Sequence, residues 1–101
     1  MRIFYKKTAI DDIQEMEQYI RQELRNKKAA HDLTRLIVKA ISKLADQPYM
    51  GTPLNTKVDL KTDLRFLTVS KRLIFYRVNG DHIEITRVID GRRDYITHLF
   101  D

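Results

Sequence analysis

The chain has no cysteine and no tryptophan, only two prolines and three glycines, and no long apolar run among its 101 residues. Without cysteine there can be no disulfide, no thiolate nucleophile and no cysteine-bound zinc. The three histidines, His31, His82 and His98, are scattered, so neither a metal centre nor a cofactor is expected. The longest apolar stretches resemble Leu36-Ile37-Val38, far short of the roughly 20 residues that a spanning helix needs. Met1 to Ile10 carries basic residues with no apolar stretch behind them, which does not read as a secretory signal, and a cytoplasmic location with no membrane partner is expected. A hydrophobic content of 43% argues against disorder, and a chain of this length points to one domain over residues 1–101.

What the chain does have is positive charge, with a formal net of +5. Such a balance favours an anionic partner without specifying one. The distribution is more informative: Arg65, Lys71, Arg72 and Arg77 follow one another with no acidic residue between Arg65 and Arg77.

Hydrophobic spacing sets the order of elements. Alternation over Arg2 to Lys6 suits a short strand at a sheet edge. Thr8 reads as an N-cap, with Asp11 and Asp12 placed where a helix dipole favours carboxylates, so a first helix is expected from Ala9. Its stripe is Ile10, Ile13, Met16, Ile20 and Leu24. After the break at Asn26-Lys27-Lys28, a second helix from Ala29 or Ala30 carries Leu33, Leu36, Ile37, Ala40, Ile41 and Leu44, giving a helical hairpin. Gln47-Pro48, Gly51 and Pro53 open an irregular segment over 47–62. The period then changes to two in Leu64–Val69, Leu73–Val78 and His82–Ile89, and Asn79-Gly80 predicts a type I′ turn between the last two. The expected fold is α+β: an N-terminal strand, a helical hairpin, then an antiparallel sheet of three strands with the helices on one face.

Strand parity places Arg65 on the face of Leu67 and Val69, and Arg87 on the face of Ile83, Ile85 and Ile89. A guanidinium cannot lose its charge to escape burial. Each must therefore pair with an acid, reach a carbonyl, or open onto a concave face that receives an anion. His82 reads as a solvated turn residue sharing with Glu84 a strand face opposite Arg87, and His98 as a surface side chain. Phe66, Phe75, Tyr76 and Tyr95 are core aromatics at sheet spacing, although aromatics beside a basic stripe also suit a small nucleic-acid-binding module.

The stretch Arg87-Val88-Ile89-Asp90-Gly91-Arg92-Arg93-Asp94-Tyr95, followed by His98-Leu99, resembles the last core strand and tail of the ParE branch of the RelE/ParE toxins. Leu64 to Val69 and Ile74 to Val78 are similar to that family's two preceding strands. The Ala9, Asp12, Ile13 start of the first helix and the Pro48 and Gly51 break also fit. One departure is Asp90, which stands where many relatives have histidine.

The resemblance implies the toxin of a type II toxin-antitoxin system, neutralised by a cognate antitoxin and linked to growth inhibition and plasmid stabilisation. ParE-like toxins act on DNA gyrase and RelE-like ones cut mRNA on the ribosome. Metal-independent RNA cleavage needs an acid, a base and cations for the phosphorane charge. Cations are plentiful, but Leu99 stands near the place of the catalytic tyrosine in RelE-like enzymes, and the candidates that remain for catalysis are Arg65, Arg87, Arg93 and His98. The expectation is therefore a ParE-like gyrase inhibitor that binds its target through Arg65, Arg72, Arg87, Arg92, Arg93 and Tyr95. A ribosome-dependent endoribonuclease is the alternative. A dimer and a toxin–antitoxin hetero-oligomer are both compatible with this reading.

Overall fold

The alternation at the start of the chain becomes strand β1 (Arg2–Tyr5) in the computed structural model, which describes residues 1–100. Helix α1 (Lys7–Gln18) runs into a π-helical turn (Tyr19–Glu23), and helix α2 (Lys27–Ser42) ends in a 3-10 turn (Lys43–Ala45). The segment expected to be irregular holds a two-residue strand, β2 (Thr52–Pro53), and a 3-10 turn (Leu54–Thr56). Strands β3 (Arg65–Val69), β4 (Arg72–Asn79) and β5 (His82–Asp90) follow, then the short helix α3 (Tyr95–Phe100). The α+β class and the hairpin stand, but the sheet has five strands in the order β1-β5-β4-β3-β2. Only β1 runs parallel to its neighbour, pairing Arg2 with His82 through Tyr5 with Ile85.

Both helix starts differ from the sequence reading. α1 begins at Lys7, and Lys6 at its N-cap position makes no side-chain cap. Thr8 is not a cap: its hydroxyl donates to the Thr86 carbonyl at 2.7 Å, a tertiary contact that local sequence cannot display. α2 starts earlier than its apolar stripe because Asn26 Oδ1 accepts from the Ala29 N–H at 3.0 Å. Ile10, Leu24 and Leu36 were expected in the core and are exposed. The faces that meet the sheet carry Ala9, Met16 and Ile20 on one side and Ala30, Ile37 and Ile41 on the other. Leu36 lies next to Ile37 and is turned about 100° around the helix from it.

The core has two parts, one on each face of the sheet. Between helices and sheet lie Ile37, Ile41, Leu44, Ile74, Tyr76, Ile83 and Ile85, each fully buried and each contributing about 1.5–3 kcal/mol of hydrophobic stabilisation. On the opposite face Leu54, Leu64, Phe75 and Ile89 are covered by Val58, Tyr95 and Leu99. The second face is therefore packed as well, by α3 and the segment after β2, where helices were expected on one face only.

The hairpin turn expected at Asn79-Gly80 has another geometry, and the type I′ pattern lies in the preceding hairpin. Asn79 pairs with His82, so the central turn residues are Gly80 and Asp81, with positive φ only at Gly80, as in a type II′ turn. The β3–β4 turn has positive φ at both Ser70 (48°) and Lys71 (66°), the pattern of a type I′ turn without the asparagine or glycine that usually supplies it.

A bulge in β5 overturns the parity of Arg87. Tyr76 pairs with Ile85 and Phe75 with Arg87, leaving Thr86 as the extra residue. Ile83, Ile85 and Val88 face the helices, whereas Arg87 and Ile89 share the face of Phe75. Glu84, opposite Arg77, falls on that same face, so it does not oppose Arg87. Arg65 keeps its expected parity, opposite Tyr76 and beside Leu67 and Val69.

Candidate functional site

β1 ends at Tyr5, so the second half of β5 has an open edge, and the start of α1 lies along it. Lys6 N–H donates to the Ile85 carbonyl at 2.9 Å, and Thr8 serves the Thr86 carbonyl. One turn later Asp12 Oδ2 accepts the Val88 N–H at 2.9 Å. Thr8 and Asp12 are four residues apart on one helix face, and together they take the place of a missing strand partner. Arg87 donates from Nε and Nη2 to both oxygens of Asp12, and from Nη1 to the His98 carbonyl at 2.8 Å. Its guanidinium thus joins α1, β5 and α3. The hydrogen bond to Asp12 raises the Arg87 pKa further above its ordinary value.

A second arrangement closes the end of β5. Asp90 receives Arg92 Nε at 3.0 Å and Arg92 Nη2 at 2.7 Å, and the Arg92 N–H at 3.0 Å. Arg72, its cross-strand neighbour, brings Nη1 to 4.0 Å. The Arg92 side chain and amide, with Arg72 behind them, hold the Asp90 carboxyl well below the usual carboxylate range. Between them Gly91 donates its N–H to the Lys71 carbonyl at 2.7 Å. A Cβ at this position would lie 3.0 Å from that oxygen, so the close approach favours glycine.

These two ion-pair groups line one cleft of about 690 Å³, with Tyr19, Glu15 and His98 completing its wall. It brings together Arg72, Arg87, Arg92 and Arg93, against the carboxylates Asp12, Glu15 and Asp90. Arg93 is exposed and has no side-chain hydrogen bond or ion pair among the described residues. Glu15, Tyr19 and Asp12 escaped the sequence reading as site residues. The signal for Asp12 was its four-residue spacing from Thr8, legible only once Thr8 is known not to be a cap.

Other candidates lie elsewhere. Arg65 Nη1 donates to the carbonyls of Tyr49 (3.2 Å) and Gly51 (2.8 Å), and its guanidinium stands 5.0 Å from the centre of the Tyr49 ring. It reaches carbonyls, the second of the three outcomes open to it, and takes no part in the cleft. Tyr95 packs its ring 5.5 Å from that of Phe75, in the second core. His82 sits edge-on to Phe4 beside Asp81, and Glu84 pairs with Lys6 and Arg77. His98 is half-buried on α3 and lines the cleft, where a surface position was expected.

Residues 3–95 match the sequence model of a family described as the ParE toxin of type II toxin-antitoxin systems, parDE. The chain belongs to the ParE toxin family. It is also similar to a solved structure described as the chromosomal ParDE toxin-antitoxin system from P. aeruginosa, at a TM-score of 0.74 and 20% identity, covering 89% of this chain and 95% of that one. At that identity the likeness is one of fold. No curated protein matches the chain. The part matching the ParE toxin family includes every cleft residue named above except His98, so most of α3 lies outside it.

Proposed function

We propose that this ParE-type toxin of a type II toxin-antitoxin system inhibits DNA gyrase by binding it in the cytoplasm, and that a cognate antitoxin holds it inactive. The observation that carries the reading is charge compensation in the cleft. Arg87 is committed to Asp12, Arg92 to Asp90, and Arg72 lies beside Asp90, leaving Arg93 as the cleft guanidinium without an ion pair among the described residues. A surface of alternating charges complements a protein better than it does a phosphate backbone, which calls for unpaired cations. Exposed Phe4, Leu24, Leu36 and Val38 supply apolar area that an antitoxin would bury.

Glu15 and His98 share the cleft with the arginines, and this one observation favours the second reading, an mRNA endoribonuclease with a carboxylate and an imidazole as base and acid. Induced expression separates the two. Gyrase inhibition produces an SOS response and loss of supercoiling by purified gyrase, with no new RNA ends. Codon-spaced mRNA ends in primer extension, with gyrase unaffected, overturn the proposal.

A further inference from the structure

Asp90 sits where the cleft's positive charge is decided. Its carboxylate is four-fifths buried, as is the Arg72 side chain beside it, whereas the Arg92 side chain is 72% exposed. Both oxygens are engaged: Arg92 takes one with Nε and the other with Nη2, its amide takes Oδ1 again, and Arg72 adds a longer contact to Oδ2. A guanidinium bound in this way has spent one of its two-point edges, Nε–Nη2, and has its charge already balanced by a carboxylate, so it holds a phosphate less strongly than an unpaired one. Nothing in the backbone demands a carboxylate here. The fixed points are the pairing of Arg72 with Asp90 and the Gly91 hydrogen bond to Lys71, both made by main chain, and the Arg92 N–H on Asp90 Oδ1, which the oxygen of an amide would serve as well.

We infer that Asp90 is a specificity-determining residue which, by occupying Arg92 and Arg72, keeps the cleft from binding phosphate-rich polymers and reserves it for a partner of mixed charge. The inference extends the reading of a protein target given above. Of the cleft's four guanidinium groups, Arg93 alone has no ion-pair partner among the described residues to meet an incoming phosphate. Replacing the carboxylate by an amide retains an acceptor for the Arg92 N–H but releases two guanidinium groups next to Arg93. The same cleft then presents three cations to an anionic strand.

The test is binding of a fluorescein-labelled oligothymidylate by anisotropy, between about 50 and 200 mM salt. Asp90→Asn is expected to bind on the order of tenfold more tightly than wild type at the low-salt end. Its plot of log affinity against log salt should be steeper by about 0.7 to 1.4, the equivalent of one or two added phosphate contacts on a single strand. Asp90→Glu, which restores the charge, returns both quantities towards wild type. Equal binding by wild type and Asp90→Asn, or Asp90→Glu binding as tightly as Asp90→Asn, overturns the inference.

If Asp90→Asn does not fold, two exposed variants decide the matter. Arg92→Ala and Arg93→Ala remove the same net charge, so a difference between them reports pairing alone. Arg93→Ala should weaken oligothymidylate binding more than Arg92→Ala, and equal losses overturn the inference. No gyrase enters these measurements, so the gyrase reading can fail while Asp90 keeps this role. Conversely, supercoiling inhibition by wild type with unchanged oligothymidylate binding by Asp90→Asn removes the role of Asp90 alone.

Discussion

Arg87 and Asp12, 75 positions apart in the chain, meet in a two-point ion pair, Nε to Oδ2 at 2.7 Å and Nη2 to Oδ1 at 2.9 Å. The Asp12 carboxylate also holds the Val88 N–H, so truncating either residue leaves a partly buried group without its partner. Arg87→Ala and Asp12→Ala should each cost about 3 kcal/mol and lower the melting temperature by more than about 10 °C. The double variant should cost little more than either single one, because both remove the same interaction. Additive losses in thermal melting would show that the two residues act separately.

Arg93→Ala is expected to behave differently. An exposed, unpaired side chain contributes under about 0.5 kcal/mol, so melting should shift by no more than about 4 °C while growth inhibition is lost. Full toxicity in this variant would remove the tail from the target-binding surface. Arg65→Ala should lose stability and toxicity together, since Arg65 ties the Tyr49 and Gly51 carbonyls to the sheet.

Gly51→Ala should be among the most damaging small substitutions. An added Cβ would lie 2.6 Å from the Tyr76 hydroxyl oxygen and 2.9 Å from the Phe66 carbonyl oxygen. It would also break the junction in which the Tyr76 hydroxyl donates to Pro48 and accepts from Gly51. Tyr76→Phe loses only that junction, at about 1–3 kcal/mol. A Gly51→Ala protein that melts no lower than Tyr76→Phe would contradict the close approach.

The Ser70-Lys71 turn predicts a gain. Positive φ costs roughly 1–2 kcal/mol per residue outside glycine and asparagine, so Ser70→Asn with Lys71→Gly should stabilise by about 1 kcal/mol in urea unfolding. Unchanged or reduced stability would show that the turn is not under strain.

Asp90 gives a pH dependence of definite sign. Its folded pKa is depressed by Arg92, whereas the unfolded carboxyl titrates near ~3.9. The stabilisation is therefore present above that value and is lost as pH falls through it towards the lower folded value. Asp90→Asn should flatten acid unfolding in this window; a profile identical to wild type would dissociate Asp90 from acid stability.

Much of this was legible in the chain. Alternation and helical spacing gave the α+β order, and Arg65 pointed where parity put it. Parity failed at Arg87 because one residue, Thr86, is extra to the pairing, and a single bulge inverts every side chain beyond it. The sequence Ile85-Thr86-Arg87-Val88-Ile89 carries no glycine or proline to mark the site. The type I′ turn was misplaced for a related reason. Asn79-Gly80 satisfies type I′ locally, yet the pairing of Asn79 with His82 shifts the turn by one residue, while Ser70-Lys71 is held in its conformation by contacts from Gly91. The cleft depends on such long-range pairings and was legible only as a set of arginines.

The parallel pairing of β1 with β5 has a consequence for synthesis. Arg2 meets His82, and Asp12 waits for Arg87, so the first elements to leave the ribosome find their partners only when the last strand has been made. A nascent chain stopped before His82 has an unpaired first strand, Asp12 without Arg87, Arg72 without Asp90, and neither member of the Asp90–Arg92 pair. The cleft is therefore among the last things this chain acquires, and translation products that stop before β5 lack it.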